Sequence, residues 1–97
     1  MIFWSVTATM APGKEEEAVQ HLKKMAKFEQ ERHGIDVQII QRMDGAAGRI
    51  MWLEKHESLA AWEAQDAHFR DDAEAMALMG EGAGLITDAE VHFWRTL

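Results

Sequence analysis

The first helix predicted from the sequence carries two side chains that could transfer a proton. Glu29 and His33 are four residues apart, so their side chains are neighbours on a helix. Helical spacing places Glu29 within an apolar stripe and His33 at its edge; the stripe comprises Ala18, Val19, Leu22, Met25 and Ala26. A carboxylate beside an imidazole fixes the tautomer of the ring, which suits a general base. The alternative is that the helix extends beyond the sheet and both groups are solvated.

A second helical region has an apolar stripe with polar side chains along one flank. The stripe comprises Trp62, Phe69, Ala73 and Met76, and the flank comprises Gln65, His68 and Asp72. The stripe predicts core packing, whereas the flank could line a pocket between helix and sheet. We therefore predict His68, His33 and Glu29 as catalytic candidates, with His68 first. The predicted substrate-binding residues are Trp62, Gln65, Asp72 and Phe69.

The remaining histidines suggest assembly or solvent exposure rather than chemistry. His92 alternates with Trp94 on the last predicted strand and is expected at a subunit interface, the alternative being a cavity contact. His21 and His56 are expected to be solvated. The chain has no cysteine and no H-x-x-x-H or H-E-x-x-H spacing, and a zinc site needs three or four ligands. We predict neither a metal site nor a cofactor.

Charge and hydropathy narrow the range of partners. With 17 acidic and 10 basic residues the formal net charge is −7, which disfavours binding to nucleic acids and to anionic membranes. No stretch approaches the roughly 18 apolar residues that span a bilayer. The sequence therefore predicts a cytoplasmic protein, and the predicted pocket between helix and sheet favours a small apolar molecule as its partner.

Eight segments position these residues, and they predict one α+β domain over residues 1–97. Two of them are connections: a hairpin over Asp44–Gly48 and a glycine-rich turn over Gly80–Gly84. The predicted strands are Ile2–Thr9, Ile35–Met43, Arg49–Lys55 and Leu85–Thr96, and the helical regions are Gly13–Arg32 and Ser58–Met79, the latter divided at Asp71-Asp72. This βαββαβ order is that of the ferredoxin-like fold, a four-stranded antiparallel sheet with helices on one face.

Both faces of the predicted sheet carry apolar side chains. Trp4 and Phe3 point to opposite faces of the first strand, as do Phe93 and Trp94 on the last. Two helices can cover only one face, and an exposed face normally alternates with polar residues. We therefore predict a homodimer, or a higher oligomer, formed by packing the second faces together.

The chain resembles the dimeric α/β-barrel superfamily, whose small ferredoxin-like subunits pair through their sheets. The segment Ser58–Arg70 resembles two of its branches. His68-Phe69 is similar to a His-Phe pair in antibiotic-biosynthesis-monooxygenase-like proteins, and the Ser-Leu-Ala-Ala-Trp-Glu run with its acidic break is similar to NIPSNAP-like proteins. The first resemblance implies cofactor-independent oxygenation of aromatic substrates or haem degradation, with Trp62 matching a tryptophan of the haem-degrading members. The second implies no settled chemistry.

Three hypotheses follow. The first is a small-molecule enzyme resembling cofactor-independent monooxygenases, with an apolar or aromatic substrate in a pocket between helices and sheet. The second is a non-catalytic ligand-binding or assembly module of the same fold. The third is a haem-binding or haem-degrading variant that uses His68 or His33.

Overall fold

The computed structural model of the protein describes residues 1–45 and 48–97. Ala46 and Ala47, which belong to the predicted Asp44–Gly48 hairpin, lie outside the described residues. The elements in chain order are β1 Ile2–Met10, α1 Glu15–His33, β2 Val37–Gln41, β3 Arg49–His56, α2 Leu59–Asp71, α3 Ala73–Glu81 and β4 Ile86–Arg95.

The four strands form one antiparallel sheet in the order β2-β3-β1-β4. β1 is central, and its register pairs Trp4 with Glu54 of β3 and with Phe93 of β4. The helices lie on one face of this sheet, so the predicted α+β, ferredoxin-like fold is confirmed. Among the described residues, no helix is long and apolar enough to cross a membrane.

The helix boundaries follow local capping chemistry. α1 ends at Gly34, whose φ of 70° is left-handed and whose N–H bonds to the carbonyl of Gln30 at 3.0 Å, as its glycine predicted. Ser58 caps α2 by accepting from the Ala61 N–H at 3.1 Å. Asp72 separates α2 from α3 and caps α3 by accepting from the N–H groups of Glu74 and Ala75, so the predicted break is confirmed.

Two predicted elements extend beyond the observed ones. α1 begins at Glu15 rather than Gly13, because Gly13 has a φ of 79° and the Lys14 N–H closes a turn onto the Ala11 carbonyl at 3.0 Å. β2 covers only Val37–Gln41 instead of Ile35–Met43.

The buried core lies between the first half of α1 and the sheet. It is formed by Met10, Ala18, Leu22 and Ile50, with Val19, Ile39, Trp52, Leu85 and Ile86 packed around it. These side chains anchor α1 over β1 and β3. The core thereby fixes the position of the second half of α1, which carries Glu29.

The opposite face of the sheet, here called the open face, is covered by none of the helices in the described part of the chain. Phe3, Ser5, Leu53, His92 and Trp94 lie on it, as the strand register requires. The Trp94 side chain donates from Nε1 to Ser5 Oγ at 2.9 Å, and it remains 54% exposed while Ser5 is fully buried. The predicted apolar character of both faces is confirmed, and pairing through the open face stays a prediction.

Candidate active site

A cavity of about 580 Å³ lies between the helices and the sheet. Its walls are mostly apolar and come from both the sheet and the helices. They include Trp4 and Trp52 from the sheet, Leu22 and Met25 from α1, and Trp62 and Phe69 from α2. A volume in this range suits a small organic ligand.

Aromatic rings in contact with one another form one wall of the cavity. The ring centroids of Trp4 and Trp62 lie 5.9 Å apart, and those of Trp62 and Phe93 lie 4.7 Å apart in an edge-to-face arrangement. Such contacts favour a single orientation of each ring. Trp62 is thereby held between the central strand and the edge strand β4, facing the cavity.

Glu29 is one of two buried carboxylates that line this cavity. It is 4% exposed, lines the cavity, and its Oε1 has no hydrogen-bond partner among the described residues. Burial, together with the smaller effects of the negative charges of Glu54 and Asp72, raises the pKa of Glu29 from 4.5 to about 7. Glu29 can therefore both accept and donate a proton near neutral pH.

A second buried carboxylate, Glu54, is fully hydrogen-bonded. Its Oε2 accepts from Trp52 Nε1 at 2.7 Å, and its Oε1 lies 2.8 Å from His56 Nε2. Glu54 and His56 are 7% and 9% exposed. These three residues occupy alternate positions of β3, so all point toward the helices. Glu54 is held in place, whereas Glu29 keeps a free oxygen for a ligand.

Three more polar atoms of cavity-lining residues are buried without a hydrogen-bond partner. They are Trp4 Nε1, His21 Nε2 and Gln65 Nε2. The His21 ring packs against Gly82, where any side chain would collide with it. Buried polar groups are nearly always paired. Four unpaired groups around one cavity, counting Glu29, indicate a place for a ligand that carries its own polar atoms.

The structure brings four of the predicted site residues together. Glu29, Trp62, Gln65 and Phe69 all line the cavity, which no spacing argument could establish between different helices. The roles assigned to them remain predictions, but their common location supports treating them as one site.

His33 and Asp72 lie beside the cavity instead of lining it. His33 Nε2 is 3.2 Å from Asp72 Oδ2 but is not aligned for a hydrogen bond, and Arg32 Nε is also 3.2 Å from that oxygen. The prediction that Glu29 and His33 are in contact is therefore corrected. The carboxylate next to His33 is that of Asp72, at the start of α3. These groups join the end of α1 to α3.

Three histidines differ from their predicted surroundings. His68 is exposed on α2 and does not line the cavity. The face of α2 that carries Trp62, Gln65 and Phe69 points into the cavity, and His68 lies outside that face, toward solvent. The expectation that His68 lines the pocket is corrected. His21 and His56, expected to be solvated, are instead packed into the interior, His21 at the cavity wall and His56 against Glu54.

Sequence reasoning missed Trp4, His21 and Glu54 as parts of the site. For Glu54 a signal existed, since it follows Ile50 and Trp52 at the strand period of two and so falls on the helix-covered face. A carboxylate at such a position is a candidate for function. Among the described residues, no group of three or more His, Cys, Asp or Glu side chains could hold a metal ion.

Comparisons with known proteins reveal similarity in structure but not in sequence family. No protein-family model matches the chain, and no functionally curated protein matches its sequence. An uncharacterized NIPSNAP domain protein from Burkholderia xenovorans has a TM-score of 0.87 at 12% identity, over 100% of this chain and 95% of that one.

Two further solved structures are similar over the whole of this chain. Both are provisionally assigned as antibiotic biosynthesis monooxygenases. The one from Nitrosomonas europaea has a TM-score of 0.77 at 15% identity and covers 100% of this chain and 99% of its own. The one from Deinococcus radiodurans has a TM-score of 0.75 at 14% identity, and the match covers 100% of this chain and 93% of that one. At these identities the likeness shows that the chain shares the ferredoxin-like fold of NIPSNAP and monooxygenase-like proteins.

Proposed function

We propose that this protein is an enzyme that acts on an apolar or aromatic small molecule, with Glu29 as its acid–base group. The observation that carries the proposal is the location of Glu29. It is 4% exposed, its Oε1 is unpaired, and it borders a cavity of about 580 Å³ whose walls are mostly aromatic and aliphatic. A structural carboxylate would instead be paired, as Glu54 is.

The surroundings of Glu29 suit proton transfer from a weakly acidic substrate. A pKa of about 7 leaves a useful fraction of the carboxylate ionised at neutral pH while keeping it a stronger base than an ordinary glutamate. The apolar walls exclude water from the reacting atoms, which strengthens the electrostatic interactions inside the cavity.

The resemblance to monooxygenase-like proteins supports oxygenation as the reaction that follows proton removal. Glu29 takes a proton from an activated C–H group, and the resulting carbanion supplies electrons to dioxygen. A C–O bond forms, and Glu29 returns the proton to the peroxide anion to give a hydroperoxide. Glu29 then takes the second C–H proton while the O–O bond breaks, and passes that proton to the departing hydroxide, which leaves as water. A CH₂ group and one O₂ thereby become C=O and H₂O, with dioxygen as the oxidant.

The experiment uses anthrone, a three-ring ketone with an acidic CH₂ group. Oxygen uptake and anthraquinone formation are followed for the wild type and for Glu29→Gln, which preserves shape. We expect the rate above the protein-free background to fall roughly 100-fold or more in the variant. Glu31→Gln, an exposed change on the same helix, is the matched control and should keep the wild-type rate. Equal rates for Glu29→Gln and the wild type would refute the role of Glu29.

The second candidate is a non-catalytic ligand-binding module. The observation that favours it is that His68 and His33 do not line the cavity, so Glu29 has little catalytic support from the residues first predicted. Binding of anthrone, seen as quenching of tryptophan fluorescence, without oxygen uptake would favour this module. The same location of His68 weakens the haem-binding hypothesis.

We also propose that the protein is a homodimer that pairs through its open face. Trp94 and Ile40 are 54% and 45% exposed on that face, next to the half-buried Phe3, Met51 and Leu53. A continuous apolar patch of this kind is typical of an interface.

A further inference from the structure

Trp4 and Gln65 offer hydrogen-bond donors that no protein group uses. The indole nitrogen of Trp4 can only donate, and the amide nitrogen of Gln65 donates as well. Both atoms are buried and unpaired, and both residues line the cavity. A buried donor without a partner destabilises the fold, so two such donors on residues that line one cavity favour a ligand atom that accepts from them.

Strand register and packing connect these donors to Glu29. Trp4 pairs with Glu54 across the sheet, and the charge of Glu54 acts on Glu29. The Trp4 ring contacts Trp62, and Gln65 follows Trp62 by three residues, which places both on one side of α2. The third unpaired nitrogen among the cavity-lining residues, that of His21, belongs to a residue eight positions before Glu29, about 12 Å away along α1.

We propose that Trp4 Nε1 and Gln65 Nε2 form an oxyanion-binding pair, and that the substrate is a neutral ring ketone whose acidic C–H group faces Glu29. This inference rests on the proposed role of Glu29. The C–H bond breaks as Glu29 takes the proton. Its electron pair forms a C=C bond, and the carbonyl π electrons move to oxygen. The negative charge that develops there is stabilised by the two N–H groups.

The charges around the cavity disfavour anionic substrates. Glu29, Glu54 and Asp66 all line it, and the cation nearest to Asp66 is Arg70, which is bound to it at 2.8 Å. A carboxylate or sulfonate entering this space would meet like charges in a medium of low dielectric constant. A neutral ketone avoids that repulsion, and its negative charge forms only next to the two donors.

The test uses 2-tetralone, a two-ring ketone with an acidic C–H group beside its carbonyl. Incorporation of deuterium at that carbon is followed by NMR in D₂O without oxygen, which isolates proton transfer from oxygenation. We expect Trp4→Phe and Gln65→Met, which remove one donor each and keep the bulk, to slow exchange roughly 10- to 100-fold. Gln20→Met on the surface of α1 and Trp94→Phe on the open face are the matched controls and should exchange at the wild-type rate.

A binding measurement separates donor loss from misfolding. 2-Naphthol has the shape of the enol of 2-tetralone, whereas naphthalene lacks the oxygen. The wild type should bind 2-naphthol roughly tenfold or more tightly than naphthalene. Both cavity variants should lose most of that preference while still binding naphthalene, which reports an intact cavity.

The outcomes distinguish this inference from the proposed function. If Glu29→Gln abolishes exchange but Trp4→Phe and Gln65→Met exchange at the wild-type rate, the oxyanion pair is wrong and Glu29 remains the base. If Glu29→Gln exchanges normally, the proposed function fails as well. A wild type that neither exchanges 2-tetralone nor prefers 2-naphthol to naphthalene overturns the inference.

Discussion

At the scale of single residues, Glu29 and Glu54 show how one kind of side chain acquires two roles. Glu54 is fixed by Trp52 and His56 at 2.7 and 2.8 Å, so its oxygens are occupied. Glu29 has an unpaired oxygen and a pKa raised to about 7 by burial and by the charge of Glu54. Two neighbouring carboxylates with different surroundings are the usual means of obtaining one that can exchange a proton near pH 7.

The raised pKa of Glu29 predicts that the wild type becomes less stable as the pH rises. Between pH 4.5 and about 7 the unfolded chain releases this proton before the folded chain does, so the free energy of unfolding falls with pH and levels off above 7. The full shift corresponds to roughly 3 kcal/mol, and because solvent entering the cavity screens the charge, the expected effect is smaller than that. Glu29→Gln removes this loss and should be more stable than the wild type at pH 8.

Urea denaturation at pH 4 and pH 8 provides the measurement. At pH 4 both forms are neutral at residue 29 and should differ little, whereas at pH 8 the variant should have the higher midpoint. Glu31→Gln lies at the surface of the same helix and should show no such difference. A Glu29→Gln variant that is less stable at pH 8 would show that the carboxylate is a structural group.

At the scale of elements, the features that could be predicted from the sequence are those set by residues close together along the chain. Strand alternation, the glycine at the end of α1 and the break at Asp72 are local, and all are confirmed. The surroundings of His68 and His33 depend on how α2 and α3 rotate and dock. A single-residue error in the facing of a helix shifts a side chain by about 100°, which is enough to move His68 from the cavity to solvent.

The junction between α1 and α3 predicts a measurable role for Asp72. Its Oδ1 accepts from the backbone of Glu74 and Ala75 at 3.0 and 3.2 Å, and its Oδ2 lies 3.2 Å from Arg32 Nε. Burial alone would raise the pKa of Asp72, but these N–H groups and the charges of Arg32 and His33 outweigh it and hold the pKa below its usual value. Asp72 therefore both caps α3 and joins it to α1.

Asp72→Ala loses the cap and the ionic contacts, whereas Asp72→Asn keeps the cap. The free energy of unfolding is measured by urea denaturation at pH 7. Ser58→Ala is the reference variant, since losing an ordinary helix cap costs about 1 kcal/mol. We expect Asp72→Ala to destabilise the protein more than Ser58→Ala does, and Asp72→Asn to fall between the wild type and Asp72→Ala. Equal losses for the Asn and Ala variants would mean that the cap contributes little and that the charge dominates.

At the scale of the whole molecule, the two faces of the sheet have different tasks. The helix-covered face holds the cavity and its buried carboxylates, while the open face has exposed apolar side chains and a tryptophan anchored to Ser5. The Trp94 indole donates a hydrogen bond to Ser5, which is completely buried. A side chain that is held by a hydrogen bond yet 54% exposed is suited to an interface, because it loses less conformational entropy on association.

The open face predicts a dimer that one charge at Trp94 will disrupt. The wild type should elute in gel filtration with light scattering at twice the mass of one chain. Trp94→Glu places a charge, repeated by two-fold symmetry, against its partner's apolar surface, and should shift the protein to the monomer or weaken the dimer by at least roughly tenfold in Kd. Leu59→Glu is the matched control, since Leu59 is similarly exposed, at 50%, but lies on α2. A wild-type monomer, or a Trp94→Glu dimer as tight as the control, would rule out pairing through the open face, and the exposed tryptophan would then need another partner.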